Sequence, residues 1–84
     1  MPTYATRHAR VRAWQRYRAV ATPEGWRQVW LDIVDTAAGE RVAAALVGHS
    51  WDGKEVWRVE LDGQMVDAVY DPDTATVVTV RARR

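Results

Sequence analysis

The sequence predicts an α+β fold in which two N-terminal helices pack on one side of a four-stranded antiparallel meander sheet. Two observations support this prediction. Apolar residues recur about every 3.6 positions before Gly39 and every second position after it, which indicates a change from helix to strand. Short turn sequences separate the predicted strands, as expected for consecutive hairpins. We expect residues 1–84 to form a single domain.

Length and composition limit the class of protein. Folding of 84 residues removes only about 60–65% of the unfolded chain's surface from water, so the five tryptophans supply much of a thin core. The absence of cysteine excludes a disulfide framework and a thiolate zinc site, which favours a reducing compartment. No apolar run is long enough to span a membrane, and the N-terminus lacks the order of a signal peptide. We therefore expect a cytoplasmic protein without a membrane partner.

The first predicted helix covers residues 4–19, a stretch without glycine or proline. Alanine recurs there at every fourth position, at Ala5, Ala9 and Ala13. Because alanine is small, such a row lets a helix lie close to the surface that it covers. We therefore expect this helix to pack tightly against the sheet.

A titratable imidazole and two arginines form one stripe of the first helix. His8, Arg12 and Arg16 are four residues apart, so they border the alanine row at the seam between helix and core. The first 20 residues hold five arginines and no acid, whereas residues 21–84 hold seven basic and eleven acidic residues. This asymmetry predicts an anion-binding face, with a solvated helix surface as the alternative.

The second predicted helix has clear signals at both ends. Thr22 is a candidate N-cap, and Pro23 stands at the first helical position. Glu24 lies in the first turn, and Gly39 follows the end. The apolar positions have the spacing of an amphipathic helix: Trp26, Val29, Trp30, Ile33, Val34 and Ala37. We expect its two tryptophans to belong to the core rather than to stack on a ligand.

Four strands are predicted, over residues 41–47, 54–61, 64–70 and 76–82. The dipeptide Asp62-Gly63 is a two-residue hairpin signal, and it sets the register of the second and third strands. The predicted pairs are Leu61 with Gln64, Val59 with Val66, Arg58 with Asp67 and Trp57 with Ala68. In this register the core side carries Trp57, Val59, Leu61, Val66 and Ala68.

The turn before the last strand decides which of its residues face the core. The segment Asp71-Pro72-Asp73-Thr74 has the composition of a turn. With a loop from Asp71 to Ala75, Val78 and Val80 face the core. The opposite side of the strand then carries Val77, Thr79 and Arg81. A loop one residue shorter reverses these faces.

Short motifs at both ends of the chain resemble a known superfamily. The run His8-Ala9-x-x-Arg12-x-x-x-Arg16 stands near the start, and the runs Val69-Tyr70-Asp71-Pro72 and Val78-Thr79-Val80 stand near the end. With two helices before a meander, they resemble small bacterial and phage proteins of the RelE/barnase/EndoU-like ribonuclease superfamily. The resemblance spans nearly the whole chain and includes an uncharacterised group with an early His-Ala-x-x-Arg and a late Thr-Val element. It implies a RelE/barnase-like fold.

For the ribonuclease members, the resemblance implies metal-independent RNA cleavage by a helix-borne histidine, one or more arginines, and a threonine or tyrosine on the last strand. On this chain these roles fall on His8, Arg12 and Thr79, and Arg16 matches a second basic position. The similar proteins often have an aromatic residue two positions after the threonine, where this chain has Arg81. The second group for proton transfer is therefore left unassigned, with Tyr70 or His8 alone as the alternatives.

The same residues suit RNA cleavage by its own 2′-hydroxyl, which needs a base, a proton donor and stabilisation of the phosphorane. Histidine exchanges a proton near neutral pH, arginine offers two parallel hydrogen bonds to phosphate, and threonine adds a neutral donor. The predicted catalytic residues are His8, Arg12, Arg16 and Thr79. The predicted substrate contacts are Arg7, Arg10, Arg81 and Tyr70. No metal or cofactor is predicted, because the two histidines stand on separate elements without a carboxylate cluster.

The candidates also have structural interpretations. His8 could hold a backbone carbonyl at the helix–sheet seam, and the strand preference of threonine explains Thr79. Arg58 and Asp67 form a predicted cross-strand ion pair. Trp51, in the irregular segment 49–53, could stack on a base, anchor a partner protein or fold back over the core.

Two functions are compatible with these residues. The leading prediction is a small RNA-binding protein, a candidate metal-independent toxin-type endoribonuclease, with RNA and an acidic antitoxin or immunity protein as partners. The alternative is a non-enzymatic phage or prophage protein whose arginine-rich helix binds another protein or a nucleic acid. The sequence leaves the oligomeric state open.

Overall fold

A computed structural model describes residues 4–82 of the chain. The helices are α1, Arg7–Tyr17, and α2, Pro23–Ala37. The strands are β1, Ala44–His49; β2, Glu55–Leu61; β3, Gln64–Asp71; and β4, Thr76–Arg81. They form one antiparallel sheet in the order β1-β2-β3-β4. The predicted α+β fold, with two helices on a four-stranded meander, is confirmed.

Both helices cover the same face of the sheet. Their buried residues form one cluster with alternate residues of the strands: Ala9, Ala13, Trp26, Val29, Ile33, Trp57, Val59, Leu61, Val66, Ala68 and Val80. We call this side of the sheet the helix-covered face and the other side the open face. Trp26 belongs to the cluster as predicted, and Trp30 packs against it while its indole N–H donates to the Ala75 carbonyl at 2.8 Å.

The start of α1 differs from the prediction of a helix over residues 4–19. Thr6 is the N-cap, since its hydroxyl accepts the Ala9 N–H at 3.0 Å. Tyr4 and Ala5, which precede it, lie beside β4, where the Thr6 N–H donates to the Val77 carbonyl and the Val77 N–H donates to the Tyr4 carbonyl, each at 2.9 Å. This short parallel bridge places α1 along the edge strand β4.

The signals predicted for α2 are confirmed. The Thr22 hydroxyl accepts the Gly25 N–H at 3.2 Å, and Pro23 opens the helix. Gly39, just past the end, has a φ of 77°, which a residue with a side chain rarely adopts. The helix buries Val29 and Ile33 completely against the sheet.

The central hairpin has the predicted register. Asp62 and Gly63 have φ values of 53° and 77°, as a two-residue type I′ turn requires. All predicted pairs between β2 and β3 are observed, including Arg58 opposite Asp67. The alternation of buried and polar residues on these strands is therefore fixed by a local turn.

Strand β1 begins at Ala44, later than the predicted residue 41. The connection after α2 is bonded to the helix instead. Arg41 forms ion pairs with Asp32 at 2.5 Å and Asp35 at 2.9 Å. The Thr36 hydroxyl accepts the Ala44 N–H at 3.1 Å. Pairing with β2 starts where these contacts end.

The prediction for β4 is partly wrong. Asp71 pairs with Thr76, so the loop is one residue shorter than expected, and this places Val77 on the helix-covered face, fully buried. The ladder then shifts by one residue, because Val78 is a bulge that leaves the core. Val80 therefore returns to the helix-covered face as predicted. The open face carries Thr79 and Arg81, also as predicted.

Within the described part of the chain, neither helix combines the length and the hydrophobicity needed to span a membrane.

Candidate nucleic-acid interface

A cleft of about 380 Å³ lies on the open face between the start of α1, β4 and the loop before β2. We call it the His8 cleft. Residues from four separate parts of the sequence line it, among them His8, Trp51, Lys54, Thr79 and Arg81. The bridge between Ala5 and Val77 joins the start of α1 to β4, and His8, in the first turn of the helix, lines the cleft beside this strand.

Two hydroxyl groups fix α1 against β4. At the start of the helix, the Thr6 hydroxyl donates to the Val78 carbonyl at 2.9 Å. At its end, the Tyr17 hydroxyl donates to the Arg81 carbonyl at 2.8 Å and accepts the Asp67 N–H at 3.3 Å. Sequence reasoning missed both residues. A threonine just before a helix is a recognisable cap signal, whereas the Tyr17 contacts join positions far apart in the chain.

His8 is exposed, not held at the seam between helix and core as predicted. Within residues 4–82 its imidazole makes no hydrogen bond and no ion pair, so the structural interpretation of a bond to a backbone carbonyl is not observed. Both ring nitrogens are therefore free to contact a ligand in the cleft.

Arg16 lies in a second concavity, of about 480 Å³, which adjoins the His8 cleft. Arg16, Arg58, Asp67 and Arg81 line it, and Arg81 borders both. Arg12 stands between His8 and Arg16 along α1 and lines neither concavity; its guanidinium donates to the Gln15 side chain at 2.9 Å. The structure thus brings His8, Arg16, Thr79 and Arg81 to one continuous surface.

The acidic group of the second concavity, Asp67, is already paired. The Asp67 side chain is only 5% exposed and accepts two hydrogen bonds from Arg58, at 3.0 and 3.3 Å, which confirms the predicted cross-strand pair. The carboxylate raises the pKa of Arg58. Within residues 4–82, Arg16 and Arg81 have no ion pair. Their positive charges on this surface are therefore not neutralised.

The loop that presents Trp51 is closed by Ser50. The Ser50 N–H donates to the Lys54 carbonyl at 2.8 Å, and the Gly53 N–H donates to the Ser50 carbonyl at 3.1 Å. Asp52 accepts from the Lys54 ammonium at 2.7 Å and from the Ser50 hydroxyl. These two bonds, the one from Lys54 first, lower the pKa of Asp52 to about 2. The loop therefore carries a balanced pair of charges beneath an exposed indole.

Three predicted substrate contacts lie away from the His8 cleft. Tyr70 is buried on the helix-covered face, where desolvation, followed by the charges of Glu55 and Asp71, raises its pKa. Arg7 and Arg10 lie beside a different concavity. We call it the arginine groove, and its walls include Arg7, Arg10, Val11, Trp14 and Val20.

In residues 4–82, no three histidine or carboxylate side chains are grouped so that they could hold a metal ion. The His8 cleft offers an imidazole, one guanidinium, an ammonium group paired with the Asp52 carboxylate, hydroxyls and an indole.

Comparison of the chain with protein-family models, with curated proteins and with solved structures finds no match. The geometry of the site is therefore the basis of the functional proposal.

Proposed function

We propose that the protein binds RNA on its open face and is a metal-independent, toxin-type endoribonuclease of the RelE/barnase-like kind. The observation that supports this proposal best is that His8, Thr79 and Arg81 line one cleft, although α1 and β4 are at opposite ends of the chain. A free imidazole, a hydroxyl and an unpaired guanidinium are thereby close together on a cationic surface. Cleavage through the 2′-hydroxyl needs groups of these types.

In this proposal His8 is the general base and then the general acid. Its imidazole takes the proton from the 2′-hydroxyl as that oxygen attacks phosphorus, and the imidazolium returns the proton to the leaving 5′-oxygen. We assign both transfers to His8, because it lines the cleft whereas Tyr70 is buried in the core. The products are a 2′,3′-cyclic phosphate and a free 5′-hydroxyl.

The guanidinium groups bind the phosphate. Arg81, which borders both concavities, donates to non-bridging oxygens of the scissile phosphate, and Arg16 binds a neighbouring phosphate. Thr79 adds a neutral hydrogen bond to the phosphorane. Arg12, between His8 and Arg16 on α1, reaches phosphate when its bond to Gln15 is exchanged.

Cleavage of RNA in the presence of EDTA tests the proposal. We expect wild type to produce fragments that end in 2′,3′-cyclic phosphate and His8→Ala to lose at least about 100-fold in rate, the typical contribution of a general acid–base group. His49→Ala is the matched control, since His49 is exposed on β1 and does not line the cleft. Near-wild-type cleavage by His8→Ala, or an equal loss in His49→Ala, would show that the assignment is wrong.

The arginine groove supports a second candidate function. Val11, Trp14 and Val20 are 43%, 48% and 70% exposed in it, and Arg7 and Arg10 flank them. The guanidinium of Arg18 lies 5.2 Å from the Trp14 ring centroid. An apolar strip bordered by cations fits an acidic protein segment with apolar side chains, such as an antitoxin, an immunity protein or another phage or host protein.

Growth arrest on expression separates the two candidates. If the protein is a ribonuclease, cells that express wild type without a neutralising partner stop growing, and His8→Ala relieves the arrest while Trp14→Ala does not. If the protein acts by binding another protein, His8→Ala has the wild-type effect on growth and Trp14→Ala loses it.

A further inference from the structure

We propose that Trp51 is a stacking platform for a base and that the His8 cleft therefore takes single-stranded RNA. This inference rests on the proposed binding of RNA by the cleft and names the class of RNA that enters it. Three observations support it: the exposure of Trp51, the closed loop that carries it, and its place in the cleft.

Trp51 is 99% exposed, although its indole is the largest apolar side chain that a protein can offer. The other four tryptophans are at least half covered. Trp57 and Trp30 also satisfy their indole N–H groups, by donating to the Glu55 carboxylate at 3.1 Å and to the Ala75 carbonyl. Leaving about 200 Å² of aromatic surface in water gains nothing for folding, which points to a ligand.

Hydrogen bonds fix the backbone of the loop that carries the indole. The Ser50 carbonyl accepts the Gly53 N–H, and the Ser50 hydroxyl accepts the Lys54 N–H at 3.1 Å. Gly53 adopts a φ of 86°, which lets the chain turn back toward β2. Because the backbone of the turn is already ordered, stacking of a base on the ring does not have to order the loop, and this favours binding.

The position of Trp51 in the cleft determines where the phosphate of a stacked nucleotide lies. Trp51 shares the His8 cleft with Arg81 and with His8 itself. A base on the indole thus has its own phosphate or the next one within the cationic part of the cleft. The cleft, at about 380 Å³, is at the small end of ligand sites and accommodates about one nucleotide.

Stacking on Trp51 requires a base whose face is free. In a duplex both faces of each base are covered by neighbours, whereas bases of a single strand can be splayed onto aromatic side chains. The charges beside the ring are balanced, because Lys54 and Asp52 pair with each other. Stacking, and not a net charge at the loop, is therefore the source of preference for single strands.

Binding of a non-cleavable RNA tests the inference. A fluorescein-labelled, fully 2′-O-methylated oligonucleotide is titrated as a single strand and as a duplex, and anisotropy gives both dissociation constants. We expect wild type to prefer the single strand. Trp51→Ala weakens that binding by about 5- to 150-fold, the range for loss of one stacked base, and Trp51→Phe restores most of it. Trp14→Ala, the matched loss of an exposed tryptophan in the arginine groove, leaves binding unchanged.

The failures of the two proposals are distinguishable. If wild type binds single strand and duplex equally, or Trp51→Ala binds like wild type, the stacking inference is overturned while RNA binding stands. If wild type binds neither RNA at low salt, the proposed function is overturned together with the inference. Circular dichroism checks the fold of each variant; Trp51 is fully exposed and Trp14 is about half exposed, so neither substitution empties the core.

Discussion

The helix-covered face and the open face of the sheet are built from the same strands, yet they differ in almost every physical property. On the helix-covered face, Val59, Val66 and Val80 are fully buried by α1 and α2. On the open face, Arg58, Thr79 and Arg81 come from the same strands and reach solvent to different degrees. Because strand residues alternate between faces, one stretch of sequence supplies both a core and a polar surface. The comparison predicts that stability depends on one face and ligand binding on the other.

The largest expected effect on stability is on the helix-covered face. Ile33→Ala removes a fully buried side chain from the centre of α2 and leaves a cavity, which costs about 2–5 kcal/mol of the free energy of unfolding. Urea denaturation measures the change, and Arg27→Ala, at an exposed position of the same helix, is expected to stay within about 0.5 kcal/mol. A small effect of Ile33→Ala would mean that this face does not hold the fold together.

A smaller effect on stability is expected at Asp67, a residue of the open face that is itself buried. Asp67 is 3% exposed, and Arg58→Met removes the two hydrogen bonds that its carboxylate accepts from the guanidinium. We expect a loss of about 1–3 kcal/mol in the free energy of unfolding, toward the lower end because water reaches the site of Arg58.

Arg16→Met is the matched control for this ion pair. Arg16 lines the same concavity and has no ion pair within residues 4–82, so its loss changes stability by less than about 0.5 kcal/mol. Equal losses in the two variants would contradict the distinction between the paired and the free arginine.

The smallest expected effect is local and depends on pH. The pKa of Asp52 is lowered from 3.8 to about 2 by the Lys54 ammonium and the Ser50 hydroxyl. The contribution of these bonds to loop order is therefore complete above the ordinary carboxyl value and is lost as the pH falls toward 2. Amide NMR signals of Gly53 and Lys54 should shift between these limits. Movement of the same signals around neutral pH instead would contradict the assigned pairing.

The sequence predicted those parts of the fold that depend on neighbouring residues. Thr22 and Pro23 marked the start of α2, and Asp62-Gly63 set the register of the central hairpin, because caps and tight turns are local structures. The start of α1 could not be found from helical spacing, since Thr6 caps the helix while the residues before it pair with β4. This pairing joins residues near opposite ends of the chain, so it is not a local structure.

Like the fold, the candidate site could be predicted only in part. Thr79 on the open face followed from strand alternation, although a shorter turn and a bulge moved Val77 into the core. The same hairpin register favours burial of Tyr70, two residues after Ala68 on the strand, so its prediction as a substrate contact conflicted with the predicted core face and was wrong. The exposure of Trp51 did not follow from any pattern in the sequence, since its loop could equally have folded back over the sheet.

The most direct test of the account is an NMR titration of isotope-labelled protein with the non-cleavable single-stranded oligonucleotide. Amide and indole signals report the two sides of α1 separately in one experiment. The account predicts that the largest shifts fall on His8, Trp51, Thr79 and Arg81, around the His8 cleft. Shifts confined to Val11, Trp14 and Val20 would place the interface in the arginine groove and contradict the assignment of RNA binding to the open face.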